Sequence, residues 1–181
     1  MIRAPFGVAE VLRKLRPAFH AAPLRSLLLP GACHPDALQL PPFSKFHLAN
    51  RGRYEIAELE DPALGAELHS FAQHATGLLL EPAGPLRLFR FRHRGYALFL
   101  DDALTRITTG VELTLDLSRQ MCGPPSVYQS GPAQRLEIPQ APGLVAVVER
   151  TPAIWRYDRY LPAEVGDAEV LRLRAAFRCV D

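Results

Sequence analysis

The last stretch of the chain alternates cleanly. Leu171, Leu173, Ala175, Phe177 and Cys179 fall on one face of an extended segment from Val170 to Val180, and Arg172, Arg174, Ala176 and Arg178 fall on the other. Val111, Leu113, Leu115 and Leu117 alternate in the same way with Glu112, Thr114 and Asp116, which predicts a strand with one buried face. Apolar runs predict further short strands over Leu24–Leu29, Arg53–Leu59, Leu86–His93, Tyr96–Leu100, Arg135–Ile138, Leu144–Glu149 and Ile154–Leu161.

Two segments have helical spacing. Val8, Val11, Leu12 and Leu15 lie at i, i+3, i+4 and i+7, the stripe of a short amphipathic helix ended by Pro17. Asp61 can cap a second helix, Pro62 suits its first turn, and Leu64, Leu68, Phe71, Ala72 and Ala75 make one apolar face. Gly77 stops it where a left-handed residue is favoured. Ala32–Asn50, with Pro35, Pro41 and Pro42, is expected to be loop or short turns, and Met121–Pro142 is broken by Gly-Pro turns.

Helices first and about eight antiparallel-looking strands afterwards predict an α+β, mainly β domain of the jelly-roll type. One domain over 1–181 is expected, with 1–22 as an N-terminal helical extension and 23–181 as the jelly roll.

Composition narrows the function. The 181 residues are 48% hydrophobic and 22% charged, an ordinary globular balance far from disorder. No apolar stretch reaches the ~18–20 residues of a membrane span. A net charge of +2 gives no whole-molecule reason to bind nucleic acid. Cys33, Cys122 and Cys179 have no C-x-x-C spacing, which argues against a disulfide scaffold and a zinc knuckle. Nothing near the N-terminus has the charged-then-apolar form of a targeting segment, so the cytoplasm is the expected compartment. Gly-x-Ser-x-Gly, Walker and Gly-x-Gly-x-x-Gly patterns are missing, which removes support for nucleophile-based and nucleotide-based enzymes. Only Lys14 and Lys45 are lysines among the 21 basic residues; an arginine-lined anion site or a GC-rich coding sequence would each give that bias.

Several stretches resemble the prolyl 4-hydroxylase-like branch of the 2-oxoglutarate/iron(II) oxygenases. Leu24-Arg-Ser-Leu-Leu-Leu-Pro-Gly31 resembles that family's leading strand. Leu88-Phe-Arg-Phe-Arg-His-Arg-Gly-Tyr96 resembles the strand and turn before its metal motif. Gly110–Ser118, Pro142–Val148 and Arg172–Phe177 resemble its later strands. The resemblance implies a double-stranded β-helix, the family's jelly roll, preceded by helices. It also implies Fe(II) and 2-oxoglutarate as cofactors, with Arg172 or Arg174 as the candidate grip on the far carboxylate of 2-oxoglutarate.

The family's chemistry needs two imidazoles and one carboxylate on one face of the metal. The first pair comes as His-x-Asp, because i and i+2 in a strand point the same way. Here that stretch is Ala97-Leu-Phe-Leu-Asp-Asp-Ala103. Matching Asp101 to the carboxylate puts Phe99 in the histidine's place, and matching it to the histidine puts Ala103 at the carboxylate. In the zone of the distal histidine stand Trp155 and Arg156, and no histidine follows His93 anywhere. His69 and His74, at i and i+5 of a helix, diverge.

The expectation is therefore an oxygenase-like protein whose metal triad has degenerated, acting as a binding or accessory module with no cofactor. The alternative is an active Fe(II)/2-oxoglutarate dioxygenase with a non-standard metal site drawing on Asp101 and Asp102. Phe99, Trp155 and Arg156 are the candidate pocket residues. Tyr96, Tyr128, Tyr157 and Tyr160 are candidates for the pocket mouth or for ordinary packing. Arg172 and Arg174, if turned inward, need an acidic partner, either internal (Glu112 and Asp116 are the candidates) or bound, since unpaired buried charge is costly. A small anionic ligand or a peptide is the expected partner, with no nucleic acid and no membrane.

Overall fold

The computed structural model describes residues 15–20, 24–33, 38–49, 51–98, 109–121, 123–162 and 166–180. The strands are β1 (Ser26–Leu29), β2 (Ser44–Leu48), β3 (Gly52–Leu59), β4 (Leu80–Pro82), β5 (Leu86–Phe91), β6 (Tyr96–Ala97), β7 (Gly110–Asp116), β8 (Ser126–Ser130), β9 (Gln134–Ile138), β10 (Val145–Arg150), β11 (Ile154–Asp158) and β12 (Val170–Cys179), with the helix α1 (Pro62–Thr76) between β3 and β4 and a further helical stretch over residues 15–20. All described pairings are antiparallel, in the order β1-β10-β7-β12-β5-β3-β6-β11-β8-β9, with β2 on β3 and β4 on β12. The sheet folds over on itself: β1, β10, β7, β12, β5 and β3 make a broad wall, and β6, β11, β8 and β9 make a narrower one that faces it. This is a double-stranded β-helix.

The alternation in β12 and β7 sets the layers. Leu171, Leu173, Ala175 and Phe177 turn outward and join Val111, Leu113, Leu115, Val145 and Val147 in the main core. The helix α1 covers that face with Leu64, Leu68, Phe71, Ala72 and Ala75. The Asp61 carboxylate accepts from the Leu64 amide at 2.9 Å, and Gly77 closes the helix at φ 76°. The carbonyls at the end of α1 take side-chain donors from the helical residues 15–20: Arg16 Nε donates to His74 O and His20 Nε2 to Thr76 O, each at 3.0 Å.

Four expectations change. Residues 15–20 are helical across Pro17, whose fixed φ is itself helical, and Phe19 is buried, while the expected stripe positions Val8, Val11 and Leu12 lie outside the described residues. The segment read as loop contains β2, an exposed strand ordered by pairing with β3 rather than by an apolar stripe. The turn-rich segment contains β8 as well as β9, joined in a hairpin through Gly131 at φ 64°. Finally, β7 is buried on both faces, because the narrow wall covers the side that carries Glu112, Thr114 and Asp116. The boundary expected at 22/23 lies outside the described residues. No described helix is long and apolar enough to cross a membrane.

Candidate functional site

Covering the polar face of β7 and β12 encloses charge. Arg172 and Arg174 are each 4% exposed and point between the walls, as do Glu112, Arg150, Arg156 and Asp158. Period-two geometry explains the set: Arg156 and Asp158 are alternate residues of β11, and Arg172 and Arg174 of β12, so each pair shares the inward face.

Two carboxylates organise the four guanidiniums. Asp158 Oδ1 accepts from Arg172 Nη1 at 2.5 Å and from Ser126 Oγ at 2.5 Å. Arg174 Nη2 lies 2.8 and 2.9 Å from the two oxygens of the same carboxylate. Arg172 also donates to Ser126 Oγ at 2.7 Å and to Pro124 O at 3.3 Å. Glu112 Oε2 accepts from Arg150 Nη1 at 2.8 Å and pairs with Arg156, while its Oε1 accepts from the Tyr128 hydroxyl. Two apolar clusters flank the network. Arg174 lies over the Phe89 ring at 4.8 Å, at the aromatic cluster of Tyr54, Phe89 and Phe91. Tyr128 belongs to the cluster with Ile138, Leu144, Ala146 and Val148.

The electrostatics follow from enclosure. Burial would raise the Glu112 carboxyl, but the guanidiniums of Arg156, Arg150 and Arg174 and the Tyr128 hydrogen bond outweigh it and hold it at about 2. Burial opposes ionisation of Asp158 too, and Arg174, Arg172 and Arg156 overcome it, leaving the group well below the usual carboxylate range. Tyr128 is pushed up by burial and by the adjacent Glu112 charge, so it remains a hydrogen-bond donor.

The acidic partner of Arg172 and Arg174 is thus Asp158, rather than Glu112 or Asp116. Both Asp116 oxygens are engaged by backbone, Oδ1 by the Ser118 amide at 3.0 Å and Oδ2 by the Ala141 amide at 2.8 Å. Glu112 is held by the arginines of β10 and β11. Sequence reasoning missed Asp158, Arg150 and Ser126. The alternation Arg156, Asp158 within β11 was a usable signal, but that β11 comes to face β12 across the barrel has no local signature.

The candidate pocket residues separate. Trp155 is 57% exposed on the outer face of β11, and Arg156 is buried on the inner face. Trp155 and Tyr157 line an open surface cavity of about 520 Å³ with Leu98, Gln129 and Gly131. Phe99, Asp101 and Asp102 lie outside the described residues. Tyr128 sits inside the barrel and Tyr160 is exposed.

Among the described residues, the side chains enclosed in the barrel do not suit an iron(II) ion. Four of these charged side chains are guanidiniums, which repel a cation, and the Glu112 and Asp158 carboxylates are already paired with them. The helix-side histidines are engaged elsewhere: His69 Nε2 is 2.7 Å from Leu80 O and stacks on Phe177, and His74 Nδ1 is 2.7 Å from Ser70 O. Among the described residues no three His, Cys, Asp or Glu side chains converge as ligands. The cavities between the inward charges measure about 20 and 10 Å³, far below the ~300–1,000 Å³ of a small-molecule pocket.

No protein-family model matches the sequence, and no curated protein matches it significantly. Solved structures do. A prolyl-4-hydroxylase from Pseudomonas putida is similar with a TM-score of 0.58 at 14% identity, covering 96% of this chain and all of that one. A Trichoplax adhaerens prolyl hydroxylase, solved with a hypoxia-inducible-factor peptide fragment, is similar with a TM-score of 0.67 at 10% identity, over 95% of this chain and 90% of that one. An oxidoreductase of the 2-oxoglutarate/Fe(II) oxygenase family from Burkholderia pseudomallei is similar with a TM-score of 0.62 at 13% identity, over 96% and 91%. The chain has the double-stranded β-helix fold of the 2-oxoglutarate/iron(II) oxygenases.

Proposed function

We propose that this protein is a non-catalytic or metal-independent relative of the 2-oxoglutarate/iron(II) oxygenases, acting as a binding or accessory module. The observation that carries the reading is the buried ion-pair network. The inward charged positions of β11, the zone in which the resemblance expects a distal histidine, are Arg156 and Asp158, and both are committed to opposite charges. Arg172 and Arg174 are engaged in the same way, so their guanidiniums hold Asp158 in place of a 2-oxoglutarate carboxylate. A small anionic ligand or a peptide remains the proposed partner. The surface cavity at Trp155 and Tyr157 has the scale for it, whereas the two small cavities among the described inward charges do not.

The fold likeness over nearly the whole chain favours one competing reading, an active dioxygenase whose metal ligands include Asp101 or Asp102. Thermal stability of the metal-free protein, titrated with Fe(II) or Mn(II) and with 2-oxoglutarate, separates the two. Binding to the native state raises stability. The accessory-module reading expects no saturable upshift with either, and a saturable metal-dependent upshift would establish the dioxygenase reading instead.

A further inference from the structure

Among the described residues, the barrel's inward charges do not balance. Four guanidiniums, of Arg150, Arg156, Arg172 and Arg174, face two carboxylates, Glu112 and Asp158, all at most 4% exposed. Asp116, the other buried acid among the described residues, is anchored to backbone amides, and counting it still leaves one cation in excess. An uncompensated charge this deep is costly.

The excess has a location. Only Nη2 of Arg174 reaches Asp158 and Ser126, while its Nε and Nη1 are buried with no hydrogen-bond partner among the described residues. Beside it lies the cavity of about 20 Å³, bounded by Phe89, Glu112, Arg156 and Ala176, with the exposed Gly84 and Pro85 at its outer rim. Glu112 contributes no free charge there, being held by Arg150, Arg156 and Tyr128. Arg87 on the rim pairs outward with Glu58 at 3.5 Å. The volume exceeds the ~10–15 Å³ that one water needs, and it excludes an oxyanion with several oxygens or an organic acid.

We propose that this cavity is a binding site for one small monovalent inorganic anion of chloride size, held beside Arg174 and admitted past Gly84 and Pro85. Water could accept a hydrogen bond there but would leave the charge uncancelled. The site is independent of whatever the outer surface binds.

Crystals grown in bromide in place of chloride test this directly. The expected result is a bromide anomalous peak within hydrogen-bonding distance of the Arg174 guanidinium, lost in Arg174→Met. In solution, chloride and bromide should raise the unfolding temperature saturably at constant ionic strength against gluconate. Ala176→Leu, which fills the cavity without touching a charge, should weaken that response at least tenfold and covers the case in which Arg174→Met does not fold. Water density alone in the cavity, bromide only at exposed arginines (an adventitious ion only), or an unsaturating response identical for all anions would overturn the proposal.

Discussion

Glu112 and Asp158 each hold two guanidiniums inside the barrel, and removing one acid strands both cations. Glu112→Gln is expected to destabilise the protein by about 3–5 kcal/mol in chemical denaturation, the cost of breaking a buried ion pair. Replacing the set together, with Glu112→Leu, Arg150→Met and Arg156→Met, should recover most of that loss, because an apolar set needs no desolvation. The same carboxylates set an acid limit. Both are held below their ordinary values of 4.5 and 3.8, so their contribution is complete above those values. It is lost as pH falls from about 4.5 toward 2, where the native state must take up protons. Stability measured from pH 7 to 2 should therefore be level down to about 4.5 and then fall, and the fall should shrink in the apolar triple variant. Cys33 behaves oppositely to a reactive thiol: burial and the nearby Asp116 charge push it up to about 11, so alkylation should await unfolding.

Elements with local causes were legible in the sequence. The cap, first-turn proline, apolar face and terminal glycine of α1 all act within a few residues, and the structure has each where it was expected. Asp61→Ala should cost about 0.5–2 kcal/mol by thermal unfolding, through loss of the bond to the Leu64 amide. The alternation of β12 was equally readable, down to which face carries the arginines. Strands β2, β4 and β8 were hidden for a common reason: each is ordered chiefly by a neighbour's backbone and carries no stripe of its own. Gly143, at φ 79°, exposes the same limit. An added Cβ would sit 2.9 Å from the Cys33 carbonyl, a contact set by a distant segment.

At the scale of the molecule, fold and chemistry separate. The order of helix and strands was enough to anticipate the double-stranded β-helix. No histidine follows His93 in the sequence, which is the ground for expecting no distal imidazole. The buried ion-pair network was not legible, because Asp158, Arg172 and Arg174 meet only once the narrow wall closes over the broad one. The central claim is that this network stands where an iron site would need imidazole and carboxylate ligands. Electron paramagnetic resonance of Mn(II), added at equimolar concentration with and without 2-oxoglutarate, tests it most directly. The account predicts the full signal of free aqueous Mn(II) in both cases; loss of one equivalent of that signal, restored on competition by Fe(II), would contradict it.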